Sequence, residues 1–425
     1  MDVLRKYLHM KRSILSLLIF ANVFIVLFVF ALAVRILFPD LIVSLSEDSV
    51  SFEARAREIA EAIARDGWGV WSLAPDGQGP IGIAAFMFVV FGGSVVPILF
   101  LNATLLAGAA TAIVRLIMLL QPKIRYPAVG ALAFLLPSAS FVTAVLHKDP
   151  FAILGVSLVL LGTSLSVRSG RRRRLIVAAL GLVLVAVGAG AIWLVRPYAN
   201  LLLLGAVCLY VFTFLATGIW IRLRGSALLL GLVGGLLCIF ILFIVLQLPA
   251  LEGRSQPSSL VQPSQQHWGG VLMAPLDAAF AFLLDERNEY IQCCSDATTA
   301  IDVDVRLLSV GDIVAYLPRA ATIGLLSPFP GDWMKPERPL PLAVLVGIEM
   351  SLVYLALIGV FVALARSSSI DLLPAIVFIL AVILVITIAV PNVGTLYRMR
   401  LPYFLPMIGI GFAVLADLAP KRKLC

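Results

Sequence analysis

Charge is what this chain has least of. Only 13% of its 425 residues are Asp, Glu, Lys or Arg, while 61% are hydrophobic and the mean hydropathy is +1.05. A soluble domain carries about 25% charged residues, so the composition excludes an ordinary soluble enzyme and indicates an integral membrane protein. The period-two alternation of a membrane barrel is also missing. In hydrocarbon that leaves helices as the way to satisfy the backbone. Histidine and cysteine are scarce. His9, His147 and His267 lie far apart, Cys208 and Cys238 sit in apolar runs, Cys293 and Cys294 are adjacent in a polar stretch, and Cys425 is the last residue. None of these has metal-ligand spacing. No phosphate-cradling glycine loop, zinc signature or serine nucleophile elbow is present. No cofactor is therefore expected, and a divalent metal, though not excluded, is not indicated by any clear ligand cluster. The net charge of +8 falls at the ends of apolar segments rather than on one face. The positive-inside bias explains it, and no nucleic-acid partner is expected.

What is present is a series of long apolar runs. A span needs about 20 apolar residues. Segments 13–38, 95–119, 126–146, 151–167, 175–195, 199–220, 226–248, 341–365, 372–390 and 402–419 meet or approach that length, about ten helices in all. Segment 13–38 is too long for a signal peptide and reads as a retained helix. The run Arg171-Arg172-Arg173-Arg174 must be cytoplasmic. Arg5, Lys6, Lys11, Arg12, Lys123, Arg125, Arg222, Arg224, Arg366 and Lys421-Arg422-Lys423 then fall on the same side, which puts both termini inside. This arrangement requires the short apolar stretch 80–92 not to cross. Bounded by Pro80 and Gly92-Gly93, it reads as an interfacial or re-entrant helix.

The expected organisation is a transmembrane module over 1–248 with a first outer loop at 39–94, a long outer loop at 249–340, and C-terminal spans over 341–425. In the first loop Phe52, Ala56, Ile59 and Ile63 recur at helical spacing, which predicts a surface-lying amphipathic helix. In the second, Val310–Leu326 reads as another amphipathic helix ending at Pro328.

The chemistry-bearing residues lie at the predicted outer boundary. Asp48 follows the first span. It reads either as a general base, for which a partly desolvated carboxylate is suited, or as a cap on a helix starting near Ser51. Glu47 is a weaker candidate for the same role. The short turn His147-Lys148-Asp149-Pro150 puts a carboxylate and a cation next to very apolar helices, where charge is costly and tends to be functional. Arg196, Arg398 and Arg400 run against the positive-inside bias and read as phosphate clamps, with anionic headgroup contact as the bland alternative. Arg319 is placed to face the site from the second amphipathic helix. Arg35 reads as a headgroup anchor and Trp333 as a loop anchor.

Asp48-x-x-x-Phe52 followed by Ala54-x-Ala56-x-x-Ile59-Ala60 resembles the first outer loop of GT-C glycosyltransferases, a clan that includes protein O-mannosyltransferases and the aminoarabinose transferase of lipid A. In that family the loop usually reads Asp-x-x-x-Tyr, often with Glu after the Asp. Here Ser49 follows and Phe52 replaces the Tyr. Several further motifs are similar to members from bacterial polysaccharide clusters: Phe91-Gly92-Gly93, Leu101-Asn102-Ala103, Leu136-Pro137-Ser138 through Lys148-Asp149, Arg196-Pro197-Tyr198, Ser327-Pro328-Phe329-Pro330, and Asn392 through Arg400. The resemblance implies an all-α, GT-C-like bundle in the bacterial inner membrane. It implies an inverting transferase that takes a sugar from a polyprenyl-phosphate-linked donor to a glycan or lipid-linked acceptor on the outer face. It assigns the base to Asp48, assistance to Asp149 and Lys148, and the carrier phosphate to Arg196, Arg398 and Arg400. Two other classes stay open. One is a polymerase or ligase acting on lipid-pyrophosphate-linked oligosaccharides, with His147 or a basic residue as catalyst. The other is a transporter or flippase for a lipid-linked glycan, which the lack of an internal repeat argues against.

Overall fold

A computed structural model describes residues 2–40, 42, 47–170, 175–220, 232–239, 274–294, 297–333, 340–366 and 371–419. The Arg171–Arg174 run, the Lys421–Lys423 cluster, His267 and most of segment 226–248 lie outside the described residues. The described chain is helical, with no strand among the described residues and one isolated bridge between Ala300 and Asn392. It is an all-α polytopic membrane protein. The longer helices are α1 (Asp2–Leu37), α2 (Glu47–Asp66), α3 (Gly79–Val90), α4 (Val96–Leu120), α5 (Asp149–Gly170), α6 (Leu175–Val195), α7 (Ala199–Trp220), α8 (Ala274–Cys294), α9 (Val310–Leu326), α10 (Leu340–Ala365), α11 (Leu373–Ala389) and α12 (Val393–Leu418).

Seven helices among the described residues are long and apolar enough to cross a membrane: Ser13–Leu37 within α1, α4, Asp149–Arg168 within α5, α6, Ala199–Ile219 within α7, α10 and α12. Helix α11 is apolar but shorter. Helix α3, 12 residues long, extends only about 18 Å at 1.5 Å per residue, too little for a hydrocarbon core of about 30 Å.

Segment 126–146, expected as a helix, is not one. It forms a 3-10 stretch at Pro127–Leu135, a single α turn at Pro137–Phe141, and then an irregular run into α5. Pro137 supplies the reason. It has no N–H to donate, and it pushes Leu136 into extended backbone (φ −59°, ψ 147°). The segment still travels the length of α4. Gly130 abuts Ile117 near the end of α4, whereas Thr143 and Val145 lie against Asn102 near its start. Those 15 helical positions correspond to roughly 22 Å. Irregular backbone at such depth is tolerated only inside protein, and Ala131, Ala133, Phe134, Leu136, Ala139 and the residues from Val142 to His147 are buried.

The chain divides into two compact units. The first comprises 1–254, 352–378 and 402–425, the second 255–351 and 379–401. Within the first, α5 and α6 pack closely through glycines seven residues apart on each helix. A Cβ on Gly155 would lie 2.7 Å from the Gly188 carbonyl oxygen, and one on Gly162 2.5 Å from that of Gly181. Small residues let helix backbones approach where lipid provides no hydrophobic drive. The expectation of a surface-lying α2 needs correction, because its apolar face is covered by protein. Phe52, Ala56, Ile59 and Ala60 pack against Ile81, Ala84, Ala85 and Phe88 of α3.

Within the second unit, α9 starts at a reciprocal capping box between Ser309 and Asp312. Its inner face, Ile313, Tyr316 and Ala320, packs with Leu307, Ile388 and Leu284. Buried Arg287 of α8 ties the unit together, donating to the carbonyls of Ile388 at 2.9 Å and Asp302 at 2.7 Å.

Candidate functional site

The site begins with two helices of nearly equal length. Helices α5 and α6 run antiparallel, so the first residue of α5 and the residue after α6 share one end of the hairpin. Asp149 opens α5 and Arg196 follows α6. Arg196 Nη2 donates to Asp149 Oδ1 at 2.6 Å, and both residues are buried. Each charge suits its helix end, a carboxylate at an N-terminus and a cation at a C-terminus. Burial alone would lower the Arg196 pKa. The Asp149 carboxylate, together with Tyr198 and Tyr403, more than offsets this and the net shift is upward.

His147 completes the cluster. Its Nδ1 lies 2.9 Å from Asp149 Oδ2 and 3.3 Å from the Asp149 backbone N–H, which donates to it. One nitrogen cannot accept from the amide and donate to the carboxylate at once. His147 is 4% exposed and Asp149 fully buried.

Three side chains hold the irregular run leading to this turn. Asn102 Nδ2 donates to the carbonyls of Val145 (2.8 Å) and Thr143 (3.4 Å). Arg35 Nε donates to that of Ala144 (2.7 Å). The Leu146 N–H donates to Ser49 Oγ (3.0 Å). Side chains thus replace the helical bonds that Pro137 interrupts, as buried backbone groups require. Arg35, expected as a headgroup anchor, is a structural donor and also pairs with Glu53 at 2.9 Å. Burial raises the Glu53 pKa, but Arg57 and Arg35 more than offset it and hold the carboxyl below its usual range.

The Ser49 bond brings the start of α2 against the turn. Phe52 stacks on His147 with ring centroids 6.4 Å apart, and Lys148 Nζ sits 5.6 Å from the centre of the Phe52 ring. Asp48 precedes Ser49 and is exposed, in the first turn of a helix that already begins at Glu47 rather than near Ser51. The structure therefore groups Asp48, His147, Lys148, Asp149 and Arg196 at one end of the first unit.

The remaining predicted residues lie in the second unit. Arg319 forms a two-pronged pair with Asp302, Nε to Oδ2 and Nη2 to Oδ1, both 3.0 Å. Arg400 is fully buried, and its guanidinium donates to the Ile323, Gly324 and Ser327 carbonyls at the end of α9. That geometry makes it a cap for α9. Arg398 is exposed.

Sequence reasoning passed over Ser49, Arg287 and Glu349. Ser49 is a polar residue in register with the buried stripe of α2, three positions before Phe52, and that register was the available signal. Glu349 is a lone carboxylate inside a span, where it accepts a 2.6 Å bond from the Tyr397 hydroxyl. Among the described residues no group of three or more His, Cys, Asp or Glu side chains could hold a metal ion. No protein-family model, curated protein or solved structure matches the chain.

Proposed function

We propose that this chain is an inverting membrane glycosyltransferase that moves a sugar from a polyprenyl-phosphate-linked donor to a glycan or lipid-linked acceptor at the outer membrane face. The observation that carries this reading is the Ser49–Leu146 bond, which seats an exposed carboxylate beside a buried His–Asp–Arg cluster at one end of the bundle. Asp48 takes the proton of the acceptor hydroxyl as its oxygen attacks the anomeric carbon. The bond from that carbon to the carrier phosphate breaks with inversion. Lys148, the partly exposed cation of the turn, stabilises the departing phosphate. Asp149 acts as a positioning residue that fixes Arg196 and His147. Arg319 and Arg400 make contacts that suit structural roles better than carrier binding.

A second reading is favoured by one specific contact. Asp149 Oδ2 lies 2.9 Å from His147 Nδ1, a proximity from which a carboxylate orients an imidazole as a base once Nδ1 carries the proton and turns from the backbone amide to that oxygen, and a polymerase or ligase acting on lipid-pyrophosphate oligosaccharides would use it. The two separate in nanodiscs supplied with labelled polyprenyl-phosphate sugars and lipid-pyrophosphate oligosaccharides. The transferase reading expects Asp48→Asn to lose about 10²–10⁴-fold in turnover of the monophosphate donor while folding normally. Full turnover by Asp48→Asn, with loss in His147→Gln on the pyrophosphate substrate, replaces it with the ligase reading.

A further inference from the structure

Helix α9 turns one face to the protein and leaves the other uncovered. Val314, Ala315, Pro318, Thr322 and Leu326 are exposed and recur at helical spacing, opposite the buried Ile313, Tyr316 and Ala320. We propose that the exposed face docks into the acyl chains of one membrane leaflet, so that α9 lies in the plane of the bilayer rather than in the water above it.

Depth is the first argument. Ile313 and Leu317 of α9 share a cluster with Ile388 and Leu384 of α11. A Cβ on Gly324 would lie 2.9 Å from Ile383 Cγ2 and 2.6 Å from Thr387 Oγ1. Helix α9 therefore crosses α11 over its last two turns. At 17 residues α11 is about 26 Å long, shorter than a hydrocarbon core of about 30 Å, so its last turns are at lipid level and α9 with them. Buried Arg400 of spanning α12 meets the same level, where it donates to the carbonyls of Ile323, Gly324 and Ser327. In lipid no water is present to serve the carbonyls of a helix end, and a buried arginine does so instead.

The chemistry of the face agrees. Asp312, the one acid in α9, is engaged in the capping box at its start. The Thr322 hydroxyl donates to the Pro318 carbonyl at 2.9 Å, and Arg319, at the edge of the face, is paired with Asp302. By contrast α8, which packs on the inner face of α9, exposes Asp285, Asn288, Glu289 and Gln292. The apolar face also leads into a surface that lipid covers. Trp333, shortly after α9, packs beside Gly347 of spanning α10, where Val344, Leu345 and Ile348 are exposed. An apolar face continuous with a spanning helix, and free of carboxylates, fits acyl chains. The assignment is independent of the transferase reading.

The test places a tryptophan on the face in the otherwise native chain, as Val314→Trp or Leu326→Trp, in phosphatidylcholine nanodiscs with and without mid-chain bromination. The native chain supplies the background. Brominated lipid is expected to remove most of the added fluorescence, as it should for Ile348→Trp, while aqueous iodide leaves it. Glu289→Trp should show the reverse. Quenching of Val314→Trp and Leu326→Trp by iodide alone would put the face in water and overturn the proposal. Protection from both quenchers would mean that protein, such as a second copy of the chain, covers the face, and would overturn it too. The native chain provides a second readout that no variant's folding can disturb. Lipids carrying a mid-chain diazirine should label the 310–326 segment on illumination and spare 285–292, and labelling of 285–292 alone would count against the proposal.

Discussion

Arg196 Nη2 meets Asp149 Oδ1 at 2.6 Å across 47 residues of chain, with the two side chains 9% and 0% exposed. Removing one partner of a buried pair strands the other charge and costs about 3–5 kcal/mol. Asp149→Ala should therefore lower the thermal midpoint markedly in detergent. The double variant Asp149→Leu with Arg196→Met should recover most of the loss, since well-packed apolar replacements of buried pairs are often neutral. A double variant no more stable than Asp149→Ala would show that the pair is not the main source of stability there.

The glycine contact between α5 and α6 yields a matched comparison. A Cβ at Gly188 would come 2.5 Å from the Gly155 carbonyl oxygen, while one at Gly190 meets nothing within 4 Å. Gly188→Ala should cost about 1–3 kcal/mol through overpacking. Gly190→Ala should be neutral or slightly stabilising, because glycine in a helix interior is worse than alanine by roughly 0.5–1 kcal/mol. Equal thermal midpoints for the two variants would contradict this packing.

Ser49 is buried and accepts the Leu146 N–H. If that bond positions Asp48 against the turn, Ser49→Ala should reduce kcat far more than it reduces the thermal midpoint. Ser49→Thr, which keeps the hydroxyl, should restore the rate. A Ser49→Ala protein whose rate falls only in step with its folded fraction would reduce Ser49 to a structural tether.

Arg319 hydrogen bonding holds the Asp302 pKa below its usual value, against an opposing effect of burial and with help from Tyr316. A lowered folded-state pKa means that the stabilisation is fully present above the ordinary carboxylate value of about 3.9 and is lost as pH falls through the folded value. The gap in thermal midpoint between the native chain and Asp302→Asn should stay constant from neutral pH down to about pH 5 and narrow only below the ordinary carboxylate range. A gap that widens on acidification would reverse the sign of this linkage.

Helix α9 shows what local sequence is enough to specify. Its apolar stripe, the Ser309–Asp312 pair at its start and Pro328 just beyond its end act within a few residues of one another, and the structure has the helix at Val310–Leu326 as expected. The apolar runs of α4, α6, α7 and α10 were legible for the same reason, since span length and hydropathy are properties of a single segment. The gap at 126–146 was not. Its apolarity suits a helix, and only contacts with Asn102, Arg35 and Ser49 from three other segments satisfy the backbone once Pro137 has broken it.

The sequence alone determined that this is a helical membrane protein, because too few charges exist to solvate it and hydrocarbon admits no unpaired backbone. It also marked Asp48, His147, Lys148, Asp149 and Arg196 as unusual, since ionisable groups beside apolar helices are costly wherever they occur. Which of them meet was decided by tertiary structure. Asp149 reaches Arg196 because two antiparallel helices of matched length pack glycine to glycine. Arg400 turns to the α9 carbonyls because that helix ends beside it. Pairing depends on distances between segments far apart in the chain, and those distances follow from packing, which no single stretch of sequence contains.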